Sequence, residues 1–156
     1  MSKNILIISA SPRKGGNSDT LCDQFMKGAG EAGHKAEKLR LAELKIDYCS
    51  ACCGCDCSGT PPVYFFTMNA QMKTMIDRTL GGAQKPGLEN KEFYLIATAA
   101  DGKAAMERTI DGLRGYLDCL PGAREKGVVY GAGAWQLGDI LKNPAMEEAY
   151  RMGFNI

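Results

Sequence analysis

Two stretches of this chain carry residue types whose spacing could do chemistry. The first is Ser9-Ala10-Ser11-Pro12-Arg13-Lys14-Gly15-Gly16-Asn17-Ser18-Asp19-Thr20. Gly15 and Gly16 let a ligand approach the backbone closely, and Ser11, Asn17, Ser18 and Thr20 bring hydroxyl and amide donors. Arg13 can add a charge-assisted bond to an oxyanion. If a helix starts here, its free N–H groups add partial positive charge, and the stretch suits a phosphate. It lacks the Gly-Lys-Ser/Thr ending of a triphosphate loop and the G-x-G-x-x-G spacing of a dinucleotide fold, so a monophosphate ligand is favoured. The plainer alternative is a surface turn with a good helix cap, where Ser, Gly and Asn are ordinary.

The second stretch holds Cys49, Cys52, Cys53, Cys55 and Cys57, five of the chain's 7 cysteines. In a reducing compartment such crowding reads as metal or redox chemistry rather than a disulfide framework. Cys22 and Cys119 lie in apolar helical stretches and are expected to be inert core residues.

The elements that must position these groups alternate. Asn4 to Ser9 is an Ile-rich run suited to a strand buried on both faces. Asn17 or Ser18 can cap a helix with Leu21, Phe25, Ala29 and Ala32 on one face and Gly33 as its stop. Ala36 to Leu41 reads as a second strand and Lys45 to Cys57 as a loop. Asn69 to Arg78 reads as a helix with Met72, Met75 and Ile76 inward. Phe93 to Ala99 is a further strand. It leads into a helix with Met106, Ile110, Leu113, Leu117 and Leu120 on one face, stopped by Pro121-Gly122. Gly127 to Ala132 is a strand, and a last helix starts at Asn143-Pro144 and reaches about Met152. The alternation predicts a doubly wound parallel α/β sheet in a single domain spanning residues 1–156. His34, in Gly33-His34-Lys35, reads as a solvated turn residue.

Ser11-Pro12-Arg13-Lys14 followed by Gly16-Asn17-Ser18 resembles the FMN phosphate loop of the NADPH-dependent FMN reductase family, within the flavodoxin-like superfamily. Pro62-Val63-Tyr64-Phe65-Phe66-Thr67-Met68-Asn69-Ala70-Gln71-Met72-Lys73 is similar to the segment of that family that lies along the flavin ring. The likeness continues through Ile76-Asp77-Arg78 and, more loosely, through Gly131-Ala132-Gly133 and Gly138-Asp139-Ile140 to Ala149-Tyr150.

The resemblance implies a flavodoxin-like fold of strand order 2-1-3-4-5 and an FMN cofactor reduced by NAD(P)H. Electrons would pass to a quinone, a flavin or a similar small acceptor. It places Ser11, Arg13, Asn17, Ser18 and Thr20 at the phosphate, and Pro62, Val63, Tyr64, Phe65, Met68 and Asn69 along the ring. Thr98, Ala99, Asp101 and Gly102 border the flavin from the next loop. Physically, Pro62 to Asn69 offers a rigid aromatic turn, and a flavin needs a flat apolar contact with backbone donors at its edge. For Phe66 a plain core position is an equal alternative. Lys73, Asp77 and Arg78 are expected to serve folding or subunit contacts. No acid or base is assigned, since the flavin carries the chemistry. A homodimer is implied by the resemblance alone.

Cys49-x-x-Cys52-x-x-Cys55 is also similar to the cysteine motif of iron–sulfur flavoproteins, which hold a four-iron (4Fe-4S) cluster near the flavin. The chain would then be an electron carrier between protein partners. The fourth ligand is not in place, because Cys57 is very near and position 61 is Pro61. A cluster-free cysteine loop ranks first, a cluster second and a zinc site third.

In the family, a helix and a central strand separate the cysteine loop from the ring segment. Here Cys57-Ser58-Gly59-Thr60-Pro61 passes directly from one to the other. A parallel crossover needs a dozen or more residues, so the third strand is missing. An internal deletion or residues absent from the sequence would explain it, the second being favoured.

With 156 residues, 45% hydrophobic content and a net charge of +1, the chain can fill one core. Nothing in that balance attracts nucleic acid or an anionic membrane. No run approaches the roughly 20 apolar residues of a membrane span, and a cytoplasmic location is expected.

Overall fold

The computed structural model describes residues 1–47, 66–79 and 87–156. Its elements are strand β1 (Asn4–Ser9), helix α1 (Asn17–Glu31), strand β2 (Lys35–Arg40), helix α2 (Ala70–Thr79), strand β3 (Glu92–Thr98), helix α3 (Lys103–Asp118), strand β4 (Arg124–Gly131) and helix α4 (Ala145–Phe154). Short 3-10 turns follow β2 at Leu41–Glu43 and precede α4 at Asp139–Lys142.

Both strand pairs are parallel. β1 pairs with β2 from Asn4 opposite Lys35 to Ser9 opposite Arg40. β3 pairs with β4 from Glu92 opposite Arg124 to Thr98 opposite Gly131, with a register shift between Phe93 and Tyr94. Among the described residues no ladder joins β1 to β3, so the strands form two two-stranded sheets.

Alternation along β3 decides which helix each side chain meets. Leu95 and Ala97 are buried with Met106 and Ile110 of α3, while Tyr94 and Ile96 point the other way, toward Ile7, Cys22 and Phe25. α1 and α4 cover that second face together. A third cluster joins Leu21, Val129, Ile140, Ala145 and Ala149 there. Each such large side chain contributes roughly 1.5–3 kcal/mol on burial. α1 and α4 approach so closely that a Cβ on Gly28 would sit 2.1 Å from the Tyr150 carbonyl oxygen, and one on Gly153 would sit 2.1 Å from that of Phe25.

Several expectations are corrected. Gly16, not Asn17 or Ser18, caps α1, and no side chain bonds to the cap. A Cβ at Gly16 would fall 2.4 Å from Ser11 Oγ and 3.0 Å from Arg13 O, so a larger residue there would have to displace the Ser11 hydroxyl. Met72, Met75 and Ile76 are only half-buried, and no residue of α2 is fully buried. Leu6 is 59% exposed, against the expectation of a strand buried on both faces. Phe66 is also 59% exposed, with the Arg108 guanidinium 5.9 Å from its ring centre. Cys119 is exposed just past α3, whereas Cys22 is buried and its thiol is pushed up to about 12, chiefly by burial. His34 is not simply solvated. Its Nδ1 accepts the Lys3 N–H at 3.2 Å and its Nε2 lies 3.2 Å from the Ile156 carbonyl, so it ties the first strand to the last residue.

Candidate functional site

The C-terminal ends of β1, β3 and β4 share one rim, where α/β sheets bind ligands. The segment from Ala10 to Gly16 leaves β1, that from Ala99 to Gly102 leaves β3, and that from Ala132 to Gly138 leaves β4. Hydrogen bonds lock the three together. The Ala99 N–H donates to Gly131 O at 3.1 Å, Ala134 N–H to Ala99 O at 2.9 Å, and Gly133 N–H to Asp101 O at 3.1 Å.

Asn17 joins the first segment to the third. Its Nδ2 donates to Ala134 O at 3.2 Å and Gln136 O at 2.9 Å, while its Oδ1 accepts the Gly138 N–H at 3.2 Å. Two further predicted ligands also work within the loop. The Ser11 hydroxyl donates to Arg13 O at 2.8 Å, and the Thr20 hydroxyl to Gly15 O at 3.3 Å. These side chains shape the loop. Arg13 is exposed and Ser18 half-buried, and neither side chain has a hydrogen-bond partner among the described residues. The backbone N–H groups of Arg13, Lys14, Asn17, Ser18 and Asp19 likewise have none among the described residues. Those of Asn17, Ser18 and Asp19 belong to the first turn of α1, where the helix dipole favours an anion.

The residue that the sequence reading missed is Asp19. It is 1% exposed and stands beneath the loop. It accepts Ser9 Oγ at 2.7 Å, Gly15 N–H at 3.0 Å and Lys38 Nζ at 3.1 Å, and Arg40 Nε lies 3.5 Å away. Burial pushes its carboxyl upward, but the bonds from Ser9, Gly15 and Lys38 outweigh burial and hold it below 3.8. Lys38, for which burial works downward, is held above its ordinary value by its bonds to Asp23 and Asp19. The available signal was an acidic residue in the first helical turn. Its partners on β2 are 19 residues away at Lys38, and only the parallel pairing of β1 with β2 brings them near.

Asn69 is placed at the same rim, though as a structural link. Its Oδ1 accepts the Met72 N–H at 3.0 Å, capping α2, and its Nδ2 donates to Ala10 O at 2.6 Å. Met68 turns toward α3, where its methyl carbon would lie 3.1 Å from a Cβ on Gly112. Thr98 and Ala99 are half-buried at the end of β3, and Asp101 and Gly102 are exposed, with Gly102 N–H donating to Asp101 Oδ1 at 2.7 Å. Pro62, Val63, Tyr64 and Phe65 lie outside the described residues, as do Cys49, Cys52, Cys55 and the junction from Cys57 to Pro61. Among the described residues no His, Cys, Asp and Glu side chains group as a metal site, and no helix is long and apolar enough to cross a membrane. An open cleft of about 650 Å³ between α4 and the starts of β3 and β4 touches none of the rim residues.

The loop lies within the segment that matches a family model. Residues 3–61 match the NADPH-dependent FMN reductase family. An iron-sulfur flavoprotein of Archaeoglobus fulgidus is 32% identical over 107 residues, covering 54% of this chain and 49% of that protein. The chain thus spans about half the length of this relative. An iron-sulfur flavoprotein of Methanosarcina thermophila is 22% identical over 169 residues, covering 93% of this chain and 85% of that protein. Both alignments are longer than the share of this 156-residue chain that they contain, so each opens gaps in it. Among solved structures, the NAD(P)H:quinone oxidoreductase from Methanothermobacter marburgensis superposes with a TM-score of 0.73 at 17% identity, covering 99% of this chain and 96% of that one. The fold is flavodoxin-like.

Proposed function

We propose that the chain binds FMN and works as an NAD(P)H-dependent oxidoreductase delivering electrons to a small acceptor such as a quinone or a flavin. The observation that carries this reading is the cradle of N–H groups at Arg13, Lys14, Asn17, Ser18 and Asp19, which have no partner among the described residues. It lies at the end of β1 and within the segment that matches an FMN reductase family. One phosphate fits it, because the turn is closed by Gly16, braced by Asn17 and Asp19, and open to solvent at Arg13.

In this reading, FMN supplies the hydride and electron chemistry when bound. The Asn17, Ser18 and Asp19 amides hold the phosphate and Arg13 adds a charge-assisted bond. Ser11 and Thr20 keep the loop in its binding shape. Thr98, Ala99, Asp101 and Gly102 border the ring with Pro62, Val63, Tyr64 and Phe65. A homodimer enclosing the ring is part of the proposal.

Titration of apo protein with FMN and with riboflavin tests the reading. FMN is expected to bind about a hundredfold tighter, which corresponds to about 2.7 kcal/mol from the charge-assisted bonds of one phosphate. Loaded protein should oxidise NADPH when a quinone is supplied. Equal affinity for the two flavins would refute the phosphate assignment.

A second reading is an electron carrier in which a four-iron cluster joins FMN. Cys49-x-x-Cys52-x-x-Cys55 favours it, as does the description of both curated relatives as iron-sulfur flavoproteins. Iron and acid-labile sulfide in anaerobically purified protein would support it, and their absence would remove it.

A further inference from the structure

A buried acid beneath a phosphate loop poses an electrostatic problem. Asp19 is almost wholly buried, and its Oδ2 accepts the N–H of Gly15, inside the loop that would receive the anion. An uncompensated carboxylate there would repel a phosphate through a medium that screens poorly. Its cationic partners both come from β2. Lys38 and Arg40 stand two positions apart on that strand, so both point to the same face, toward α1. The Lys38 ammonium lies 3.1 Å from Asp19 Oδ1, and Arg40 Nε lies 3.5 Å from the same oxygen.

Two cations with largely buried side chains thus face one buried carboxylate. The further acids in contact with them, Asp23 at Lys38 and Glu43 at Arg40, are exposed and screened by water. Arg13 and Lys14 are exposed in the loop itself. Asp19 is held below 3.8 and Lys38 above its ordinary value, so both are charged at neutral pH. The Arg40 side chain is only 10% exposed, and its Nε is a buried donor with no hydrogen-bond partner among the described residues. Such a donor costs free energy and calls for a reason. Arg40 is held beside Asp19 without a close bond to it, which leaves positive charge in excess beneath the loop.

We propose that Lys38 and Arg40 are positioning residues for the phosphate group: together they outweigh the buried Asp19 charge, so that Asp19 braces Gly15 without driving the anion away. The proposal rests on the assignment of the loop to a phosphate. Affinity for a phosphate ester then follows the balance of charge under the loop, while uncharged riboflavin is indifferent to it. A merely structural role for these side chains requires instead that each lost contact weaken both flavins alike.

Equilibrium binding of FMN and of riboflavin, followed by flavin fluorescence, is compared for the wild type, Arg40→Gln, and Asp19→Asn combined with Arg40→Gln. Arg40→Gln cancels the excess charge and should weaken FMN about tenfold, the order expected of one unit charge within a Debye length, leaving riboflavin unchanged. Lys38→Gln should act in the same direction. Adding Asp19→Asn removes the acid but keeps an oxygen for the Gly15 N–H, and should restore most of the lost FMN affinity. Equal weakening of both flavins, or a double variant weaker than Arg40→Gln alone, overturns the proposal. Inorganic phosphate separates it from the flavin reading. At equal ionic strength phosphate should raise the urea midpoint over chloride in the wild type and the double variant, and less in Arg40→Gln. If the wild type binds both flavins alike, the flavin reading fails and the phosphate midpoints decide on Lys38 and Arg40. A wild-type midpoint that phosphate does not raise, or one raised equally in Arg40→Gln, then overturns the proposal as well.

Discussion

Replacing Asp19 by alanine probes a charged group that the fold has buried under the loop. The carboxylate is 1% exposed and is surrounded by the Ser9 hydroxyl, the Gly15 N–H, Lys38 and Arg40. Removing one partner of a buried ionic group typically costs 3–5 kcal/mol. Two features pull this case toward the lower end. Lys38 keeps Asp23 as a partner and Arg40 keeps Glu43, both at exposed carboxylates. We therefore expect a loss of about 3 kcal/mol in urea unfolding, or roughly 6–12 °C in Tm for a chain of this size.

The pH dependence has a definite sign. Asp19 is held below 3.8 in the folded protein, so its contribution is present above that pH and is lost as pH falls through the folded value. The gap between wild type and Asp19→Ala should thus be constant near neutrality and close below about pH 4, the unperturbed carboxylate range. Freeing the Gly15 N–H should also loosen the loop, weakening FMN more than riboflavin. A loss below 1 kcal/mol, the ordinary range for an exposed ion pair, would refute the view that Asp19 organises the loop.

Gly28→Ala and Gly153→Ala each press a methyl group to 2.1 Å from a backbone oxygen, so each should lose about 1–3 kcal/mol or more in chemical unfolding; a neutral result would show that α1 and α4 can separate freely. Asn17→Ala removes three hydrogen bonds between α1 and the segment after β4, and should raise amide exchange at Gln136 and Gly138 together with the FMN dissociation constant; unchanged exchange would separate the two loops. Iodoacetamide at pH 8, read by peptide mass mapping, should label Cys119 and spare Cys22 in folded protein, since Cys22 is buried with its thiol pushed up to about 12. Labelling of Cys22 at the same rate as Cys119 would contradict the packing of α1.

Local sequence determined much of this molecule. The bounds of β1 were legible from its β-branched Ile run, although burial on both faces was not, since Leu6 is 59% exposed. α3 was legible through Met106, Ile110 and Leu117 at helical spacing, and the α4 start through Asn143, whose Oδ1 accepts the Ala145 N–H at 3.0 Å. The phosphate loop was legible as composition, since Gly15, Gly16 and the small polar residues stand together in the chain. Their division of labour was not. That Ser11, Asn17 and Thr20 brace the loop, leaving backbone N–H groups to meet the anion, depends on which groups lie within about 3 Å. That is a matter of tertiary approach.

The same limit explains the misplacements. Phe66 and Cys119 sit in apolar surroundings by sequence, yet burial depends on what packs above a residue and not on its neighbours in the chain. Asp19 looked like an ordinary first-turn acid, and became the hub of the loop only because β2 returns beside β1 and delivers Lys38 and Arg40. Periodicity, caps and turn residues act within a few positions, so sequence alone settled the elements and their α/β alternation. Charge pairing and burial act between elements distant in the chain, and the tertiary structure decided them.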